Sequence, residues 1–315
     1  MKILFHTDTL CYRGGTVAVL DYAKGAKNLL GHEVIISYHE DWKYRHDFGT
    51  EEDVKVSIEK NYELRGVRDG NYDKVCHDVD FAYFIRAGWQ DGLPTNTKSG
   101  VHAMFQRYEP HGNVYAYISE WLSYHMTGGS IPWVPHIVDL PKPNQNIRSH
   151  FGIPNTATVI GRLGGYNSFD VPFAADAVKL ILDLRSDYYF LFVNTRPFYI
   201  HPRLIYLNPI IDLQLKSNFI CSCDAFIHAR LSGESFGLAL CESLFHNKPT
   251  LSWNGGWDMN HTKILKNTPL LFDKSDILDK LLSVKELSGE WSKLVLEFSP
   301  QAVMNKFDSV FLSSP

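Results

Sequence analysis

The sequence predicts an α/β protein made of two consecutive doubly wound domains, each a parallel sheet covered by helices on both faces. Its 315 residues exceed the roughly 250–300 that one hydrophobic core organises. A strand–loop–helix–strand pattern begins at the amino terminus and starts again after residue 155. Between the two patterns, five prolines punctuate residues 131–154, which indicates an extended linker. Ligands of such sheets bind beyond the carboxyl ends of the strands, so we expect the two Rossmann-like domains to face each other across a ligand-binding cleft.

The first domain is assigned to residues 1–140. Its first strand is followed by a polar loop ending in Arg13-Gly14-Gly15 and by a helix that Thr16 is placed to cap. Gly31 fits the end of this helix, and the next strand completes a βαβ unit. Residues 40–75 are polar and charged, and no element is predicted there. The predicted strands are 3–5, 34–36, 81–85, 101–105 and 114–118.

Residues 141–155 are assigned to the linker and residues 156–298 to the second domain, where the elements alternate in the same way. The segment from Tyr188 to Val193 is wholly apolar, as expected of a parallel strand that is buried on both faces. A glycine-bearing loop is predicted over 161–169. The predicted strands are 158–160, 188–193, 204–207, 225–227 and 250–252, and the predicted helices are 171–184, 211–219 and 236–245.

Composition and charge exclude several classes of protein. The net charge is −4, from 31 Lys and Arg against 35 Asp and Glu, with no block of like charge, so nucleic acid is not an expected partner. The longest apolar runs reach only about a third of a membrane span, so no transmembrane segment is predicted, and a peripheral membrane contact stays open. The amino terminus does not read as a secretory signal, and five scattered cysteines without a CxxC pair indicate a reducing, cytoplasmic location.

The segment from Ala229 to Glu242 carries the clearest chemistry. It follows a predicted strand and opens a predicted helix, so the amides of residues 236–238 should be exposed at a helix amino terminus, which is a ready anion site for phosphate. Glu234 and Glu242 would repel a phosphate that they faced directly. They are better suited to accept hydrogen bonds from hydroxyl groups, which a nucleotide sugar carries on both ribose and hexose.

Glu234 and Glu242 form an E-x7-E pair with Phe-Gly-Leu between them, which resembles the signature of retaining glycosyltransferases of the GT-B fold, family 4 in particular. The resemblance spans most of the chain and is strongest over 220–252. Further segments resemble landmarks of that family and occur in the same order. They are Arg13-Gly14-Gly15, residues 131–140, Gly161-Arg162-Leu163, residues 223–227 and residues 247–250.

The resemblance implies a hexosyltransferase that moves a sugar from a UDP- or GDP-linked donor to a glycan acceptor bound by the first domain, with retention of configuration. It implies front-face attack, in which the leaving phosphate takes the proton of the acceptor. Glu234 would contact hydroxyls of the donor sugar, and Arg162 would neutralise charge on the departing diphosphate. Glu242 would hold the ribose. The other implied donor-binding residues are Gly14, Gly15, Ser235, Phe236, Gly237 and Leu238.

The resemblance also implies that the last helix packs back on the first domain. Residues 299–315 contain apolar positions at helical spacing that suit such a contact, namely Val303, Phe307 and Phe311.

One position departs from the family pattern. A lysine usually follows the arginine by five residues and gives the phosphates a second positive charge, whereas this sequence has Asn167 there. Arg196 and Arg230, close to predicted strand ends, are the candidates for that charge and are assigned to donor binding. His102 is a third candidate catalytic residue, with a buried, hydrogen-bonded imidazole as the favoured alternative.

No metal or cofactor is predicted. Asp78-Val79-Asp80 has the DxD pattern with which other glycosyltransferases chelate Mn²⁺ or Mg²⁺, and hard cations do favour paired carboxylates. The triplet nevertheless precedes its strand, on the wrong side for a site at the carboxyl ends. His228, on an apolar strand, is interpreted as structural.

Two other functions remain open at this stage. An epimerase of the same fold would act on the sugar nucleotide alone and would need acid and base groups close to the sugar. A catalytically inactive nucleotide-sugar-binding protein is suggested by the missing lysine at Asn167.

Overall fold

The structure is a computed structural model that describes residues 1–11, 14–40 and 50–313, so Arg13 and residues 41–49 of the stretch 40–75 lie outside the described residues. The chain divides into two compact units. Unit 1 comprises Met1–Ile137 together with Phe298–Pro315, and unit 2 comprises Val138–Glu297. Among the described residues, none of the helices combines the length and the apolar character needed to cross a bilayer.

Unit 1 contains a six-stranded parallel sheet in the order β3-β2-β1-β4-β5-β6. Its core strands are buried along their whole length because helices cover both faces. The strands are β1 (Lys2–His6), β2 (Glu33–His39), β3 (Glu63–Val67), β4 (Phe81–Arg86), β5 (Lys98–Ala103) and β6 (Val114–Tyr117). The helices are α1 (Gly14–Asn28), α2 (Glu52–Glu59), α3 (Tyr72–Cys76) and α4 (Glu120–Thr127).

Unit 2 contains a second six-stranded parallel sheet, in the order β14-β12-β10-β7-β8-β9, and a short parallel pair of β11 with β13. The strands are β7 (Thr158–Arg162), β8 (Tyr188–Val193), β9 (Leu204–Leu207), β10 (Ala225–His228), β11 (Gly233–Glu234), β12 (Thr250–Trp253), β13 (Asp258–Met259) and β14 (Leu271–Phe272). The helices are α5 (Pro172–Leu184), α6 (Leu213–Ser222), α7 (Leu238–Phe245), α8 (Asn260–Ile264) and α9 (Ile277–Leu282).

The last helix, α10 (Pro300–Phe307), belongs to unit 1 and packs on α1. Phe307 lies with its ring centroid 5.4 Å from that of Tyr22, and Phe311 lies 5.3 Å from Tyr83. Gly25 on α1 makes room for this contact, since a Cβ there would lie 2.6 Å from the side chain of Met304. The carboxyl-terminal segment thus completes the core of unit 1.

Three sequence-based helix starts are wrong. The helix predicted over 211–219 begins at Leu213, after Asp212, whose side chain accepts a hydrogen bond from the Leu215 amide. The first helix begins at Gly14 rather than after Thr16, whose hydroxyl donates to the carbonyl of Thr9 at 2.9 Å. The helix predicted over 236–245 begins at Leu238, because Gly237 has a φ of +93° and ends the preceding loop. At the last of these starts, Gly237 takes a left-handed conformation that its position in the sequence did not reveal.

A buried polar cluster in unit 1 makes its stability depend on pH. His102 and His136 lie beside the Tyr83 and Tyr22 hydroxyls, at 2.6 and 3.2 Å, and both imidazoles are buried. Burial disfavours the charged imidazole and lowers the pKa to about 4 for His102 and to about 3 for His136. Both side chains are therefore neutral in the folded protein above about pH 5.

We expect the protein to lose stability as the pH falls from about 6.5 to 4. In this range His102 binds a proton in the unfolded chain but not in the folded protein. The resulting loss in the free energy of unfolding is about 3 kcal/mol for this residue. The measurement is the melting temperature from pH 7 to pH 4. His102→Gln should flatten the curve, and His150→Gln, at an exposed histidine, should not. A melting temperature constant over this range would contradict the expectation.

Candidate functional site

The candidate site in unit 2 lies where the order of the sheet reverses. The chain leaves β7 toward β8 and β9, and then returns to the other side of β7 with β10. Loops that follow β7 and β10 therefore diverge, and such a switch point is where doubly wound sheets bind ligands. Arg162 is the last residue of β7 and His228 is the last residue of β10, so both lie at this switch point.

Glycines fix the backbone that carries Glu234. Gly233 has a φ of +74°, and a Cβ there would lie 2.0 Å from the carbonyl oxygen of Asp258, its partner across the β11–β13 pair. A Cβ on Gly256 would lie 2.5 Å from the amide nitrogen of Gly233. Neither position tolerates a side chain unless the backbone moves. The backbone of β11 is therefore fixed, and the side chain of Glu234 projects from it in a defined direction.

Two basic groups hold the carboxylate of Glu234. Its Oε1 lies 2.9 Å from His228 Nε2, and its Oε2 lies 3.1 Å from Arg230 Nη1. His228 is itself oriented by Ser252, whose Oγ lies 3.2 Å from His228 Nδ1. Burial alone would raise the pKa of Glu234, but its hydrogen bonds and electrostatic interactions with His228 and Arg230 hold it below its usual range. Glu234 is therefore an ionised, oriented carboxylate at the switch point.

The structure gives His228 a part in the site that the sequence did not indicate. Its place on the apolar strand β10 suggested a structural imidazole, yet its Nε2 faces Glu234 across the loop that follows the strand. The two residues are six positions apart, and no spacing rule for irregular loops connects them. The turn at Gly233 and the pairing of β11 with β13 position Glu234 for this contact.

Arg162 is almost fully buried, and its guanidinium forms hydrogen bonds with two loops. Its Nη1 donates to the Val193 and Asn194 carbonyls and to Thr195 Oγ1, at 2.7–3.2 Å. Its Nη2 donates to the Gly165 carbonyl and Ser168 Oγ, at 2.8 and 2.7 Å. Burial lowers the pKa of Arg162 to about 10, so it keeps its charge at neutral pH. The predicted contact with a diphosphate stays a prediction, and the geometry shows Arg162 positioning the loops after β7 and β8.

Glu242 lies on α7 and pairs with Lys216 on α6, with Glu242 Oε1 2.7 Å from the ammonium. Both side chains are largely buried, 9% and 13% exposed. Lys216 was not predicted as a site residue, since it lies 26 positions before Glu242 in a different element. The pair fixes one carboxylate oxygen of Glu242.

The loop between Glu234 and α7 is also fixed. The carbonyl of the buried Phe236 accepts a hydrogen bond of 2.7 Å from Asn260 Nδ2, and Ser235 is partly buried beside it. The helix α7 starts at Leu238, so Phe236 lies before it. The backbone amides without an acceptor inside the helix are those of its first turn. The predicted anion site therefore moves toward Gly237 and Leu238.

Arg196 follows β8 and is exposed, while its backbone amide donates 2.8 Å to the Tyr166 carbonyl in the loop that holds Asn167. No acidic side chain in the described parts of the chain forms an ion pair with it. Arg230 differs, since its guanidinium is engaged by Glu234. Of the two candidate cations, Arg196 is the one available to an anionic ligand.

Unit 1 contains the remaining predicted site residues. Gly14 and Gly15 open α1 after β1, and a Cβ on Gly14 would meet no described atom within 4 Å. His102 has no exposed area, and its nitrogens contact the Tyr83 hydroxyl and the Tyr117 carbonyl at 2.6 and 3.1 Å. A fully buried, doubly hydrogen-bonded imidazole cannot touch a ligand, so the predicted role of His102 is corrected to a structural one.

The acidic DxD triplet is engaged by basic groups. Asp78 contacts Arg65 at 2.6 Å and Lys2 at 2.7 Å, and Asp80 accepts from the Lys2 amide at 2.7 Å. Both carboxylates thus hold the amino ends of β1 and β4 together.

Comparison with known proteins identifies the fold. No protein-family model matches the chain, and no curated protein sequence matches it. Crystal structures do. HepE of Anabaena, in complex with UDP and glucose, superposes with a TM-score of 0.73 at 11% identity over 100% of both chains. A glycosyltransferase from Rickettsia africae gives 0.69 at 14% identity, over 99% of both chains. Sucrose-phosphate synthase from Thermosynechococcus elongatus gives 0.68 at 11% identity, over 99% of this chain and 98% of that one. The chain therefore has the two-sheet α/β fold of GT-B glycosyltransferases.

Proposed function

We propose that this protein is a glycosyltransferase that takes a sugar from a nucleotide diphosphate donor and transfers it, with retention, to a hydroxyl of a glycan. The observation that carries the proposal is the ionised Glu234, held by His228 and Arg230 at the switch point of unit 2 and followed after eight residues by the fixed Glu242. The GT-B fold and the UDP and glucose bound by HepE support the same conclusion.

Each acidic residue has a distinct part in the proposal. Glu242, with one oxygen on Lys216, would accept hydrogen bonds from the ribose hydroxyls through the other. Glu234 would accept hydrogen bonds from hydroxyls of the donor sugar. Because the pKa of Glu234 is lowered, it is an acceptor only, which suits a group that orients a sugar and stabilises positive charge at its anomeric carbon.

The diphosphate would lie against the start of α7 and the side chain of Arg196. The amides of Gly237 and Leu238 would supply the partial positive charge of a helix amino terminus. Arg196 would supply the full positive charge that the family obtains from a lysine, where this chain has Asn167. The acceptor oxygen would form a bond to the anomeric carbon on the face from which the phosphate leaves. The bond from that carbon to the phosphate oxygen breaks, and the departing phosphate takes the acceptor's proton.

A nucleotide-sugar-binding protein without catalysis is the second candidate. The saturated hydrogen bonds of Arg162 and the asparagine at position 167 favour it, since they leave fewer charges for a departing diphosphate. Release of nucleoside diphosphate in the presence of a glycan acceptor separates a transferase from a binding protein. Conversion of the donor alone to an epimeric sugar nucleotide would indicate the epimerase instead.

We expect UDP and UDP-glucose to raise the melting temperature, because a ligand that binds only the folded state stabilises it. The measurement is a thermal-shift series with UDP, GDP, ADP and their sugars. Glu242→Gln should remove most of the shift, whereas Glu290→Gln, at an exposed glutamate of the same unit, should keep it. The shift should be the same with EDTA, since we propose that unit 2 binds the diphosphate without a metal. Absence of a shift with every nucleotide would reject donor binding.

A further inference from the structure

A second cluster of chemically active side chains lies at the switch point of unit 1. There β1 lies between β2 and β4, and the chain reverses the order of the sheet. His6 ends β1, His39 ends β2, and Asp8 follows β1 by two residues. One ligand-type atom from each of these three residues lies within 4.8 Å of the other two.

Two buried polar atoms in this cluster have no hydrogen-bond partner among the described residues, namely His6 Nε2 and Asp8 Oδ1. Buried polar atoms are nearly always paired, and apart from the ion-pair contact of Arg86 Nη1 with Asp8 Oδ1 at 3.5 Å these two atoms are not, which points to a ligand between them. They lie 3.7 Å apart. This is too long for a hydrogen bond, but it is near the roughly 3.4 Å between two ligand atoms that each lie about 2.1 Å from a tetrahedral metal ion.

Neighbouring groups orient these side chains as outer ligands of a metal site do. Ser37 Oγ lies 2.9 Å from His6 Nδ1, which turns Nε2 toward Asp8. The Tyr72 hydroxyl lies 2.8 Å from His39 Nε2. Metal-binding histidines typically have the second ring nitrogen held by such a partner.

Arg86 does not exclude a cation from this place. Its Nη1 lies 3.5 Å from Asp8 Oδ1 and 3.4 Å from Asp91 Oδ2. The two carboxylates, Asp8 and Asp91, outnumber the one guanidinium, so the side chains around this place favour a cation. An anionic ligand would face both carboxylates, and a bulky one could not reach His6, which has no exposed area. A single metal ion can enter past the partly exposed Asp8 and His39.

We propose that His6, Asp8 and His39 bind one divalent transition-metal ion, zinc being the ion that two imidazoles and one carboxylate suit best. Three protein ligands leave the fourth position to water or to an oxygen of a bound molecule. The site would join the carboxyl ends of β1 and β2. It does not depend on the proposed function, because it uses neither Glu234 and Glu242 of unit 2 nor Gly14 and Gly15 of unit 1.

The test uses tag-free, full-length protein stripped with chelator and then equilibrated with Zn²⁺ or Co²⁺. We expect one equivalent of zinc by elemental analysis, and visible absorption bands of four-coordinate Co²⁺. Asp8→Asn and His39→Gln should lose both signals, whereas His150→Gln, at an exposed histidine of unit 2, should keep them. Ser37→Ala, which removes only the partner of His6, should weaken zinc binding at least tenfold.

The controls make each outcome decisive. Circular dichroism and the melting temperature of the stripped variants show whether they fold, and Ser37→Ala serves if a ligand variant does not. No zinc bound by the wild type would overturn the proposal. Equal binding by the wild type, Asp8→Asn and His39→Gln would also overturn it, because the ion would then be adventitious. A UDP-induced thermal shift that is unchanged in these variants would separate this site from the donor site.

Discussion

Replacing Glu234 by glutamine is expected to lower turnover on the order of 100-fold while leaving the affinity for free UDP within a few-fold of the wild type. Glutamine keeps the shape of the side chain and can still contact His228 and Arg230. It loses the negative charge that the lowered pKa of Glu234 maintains. Removal of one oriented electrostatic partner at a reacting centre typically costs a factor of about 10²–10³ in rate. UDP lacks the sugar that Glu234 would contact, so its binding should be spared.

The measurement pairs kcat, from UDP release with a glycan acceptor, with the Kd of UDP from calorimetry. Glu290→Gln, at an exposed position, should change neither value. His228→Gln adds a second readout, since losing this partner should raise the pKa of Glu234 and move the acid limb of the pH profile of kcat/KM upward. Unchanged kcat in Glu234→Gln would remove Glu234 from the reaction, and an unmoved acid limb would show that His228 does not tune it.

The parallel sheets could be predicted because their central strands are apolar on both faces. Residues 188–193 coincide with β8, and 158–160 lie within β7. The stretch 40–75 could not be predicted, although it contains α2, β3 and α3. The reason is that β3 is an edge strand whose side chains are mostly half-exposed, and α2 buries only Val54 and Ile58. Neither has the periodic apolar pattern on which such a prediction depends.

Local motifs could be predicted better than long-range contacts in the site. Glu234 and Glu242 stand out because a strand, a glycine loop and a helix surround them in one short segment. Lys216 could not be found, because only the packing of α6 beside α7 brings it to Glu242. His102 illustrates the reverse error. A histidine before a loop resembles a site residue, but the strand β5 that holds it is interior, so its nitrogens are satisfied by Tyr83 and Tyr117.

Arg162→Met is expected to reduce the free energy of unfolding of unit 2 by about 3–4 kcal/mol, because it leaves several buried acceptors without their donor. The guanidinium donates to oxygens of two loops, 164–168 and 193–195, which are also joined by a hydrogen bond of 3.0 Å from Asn194 Nδ2 to the Gly164 carbonyl. Asn194 in the second loop has a φ of +48°, a conformation that is uncommon outside glycine but that asparagine adopts more readily than most residues. Arg162→Lys should recover only part of the loss, since one ammonium cannot replace a planar fork of donors.

Urea unfolding of the transition that reports on unit 2 measures this effect, and Arg185→Met is the matched control. Arg185 pairs with Asp187 at the surface, with 44% of its side chain exposed, so its removal should change stability by less than about 1 kcal/mol. The experiment also decides between two roles for Arg162. A residue that ties loops together should lose stability with or without UDP, whereas a residue that contacts the diphosphate directly should keep its stability and lose only UDP affinity. Because all four hydrogens on Nη1 and Nη2 already face protein oxygens, we expect the first result.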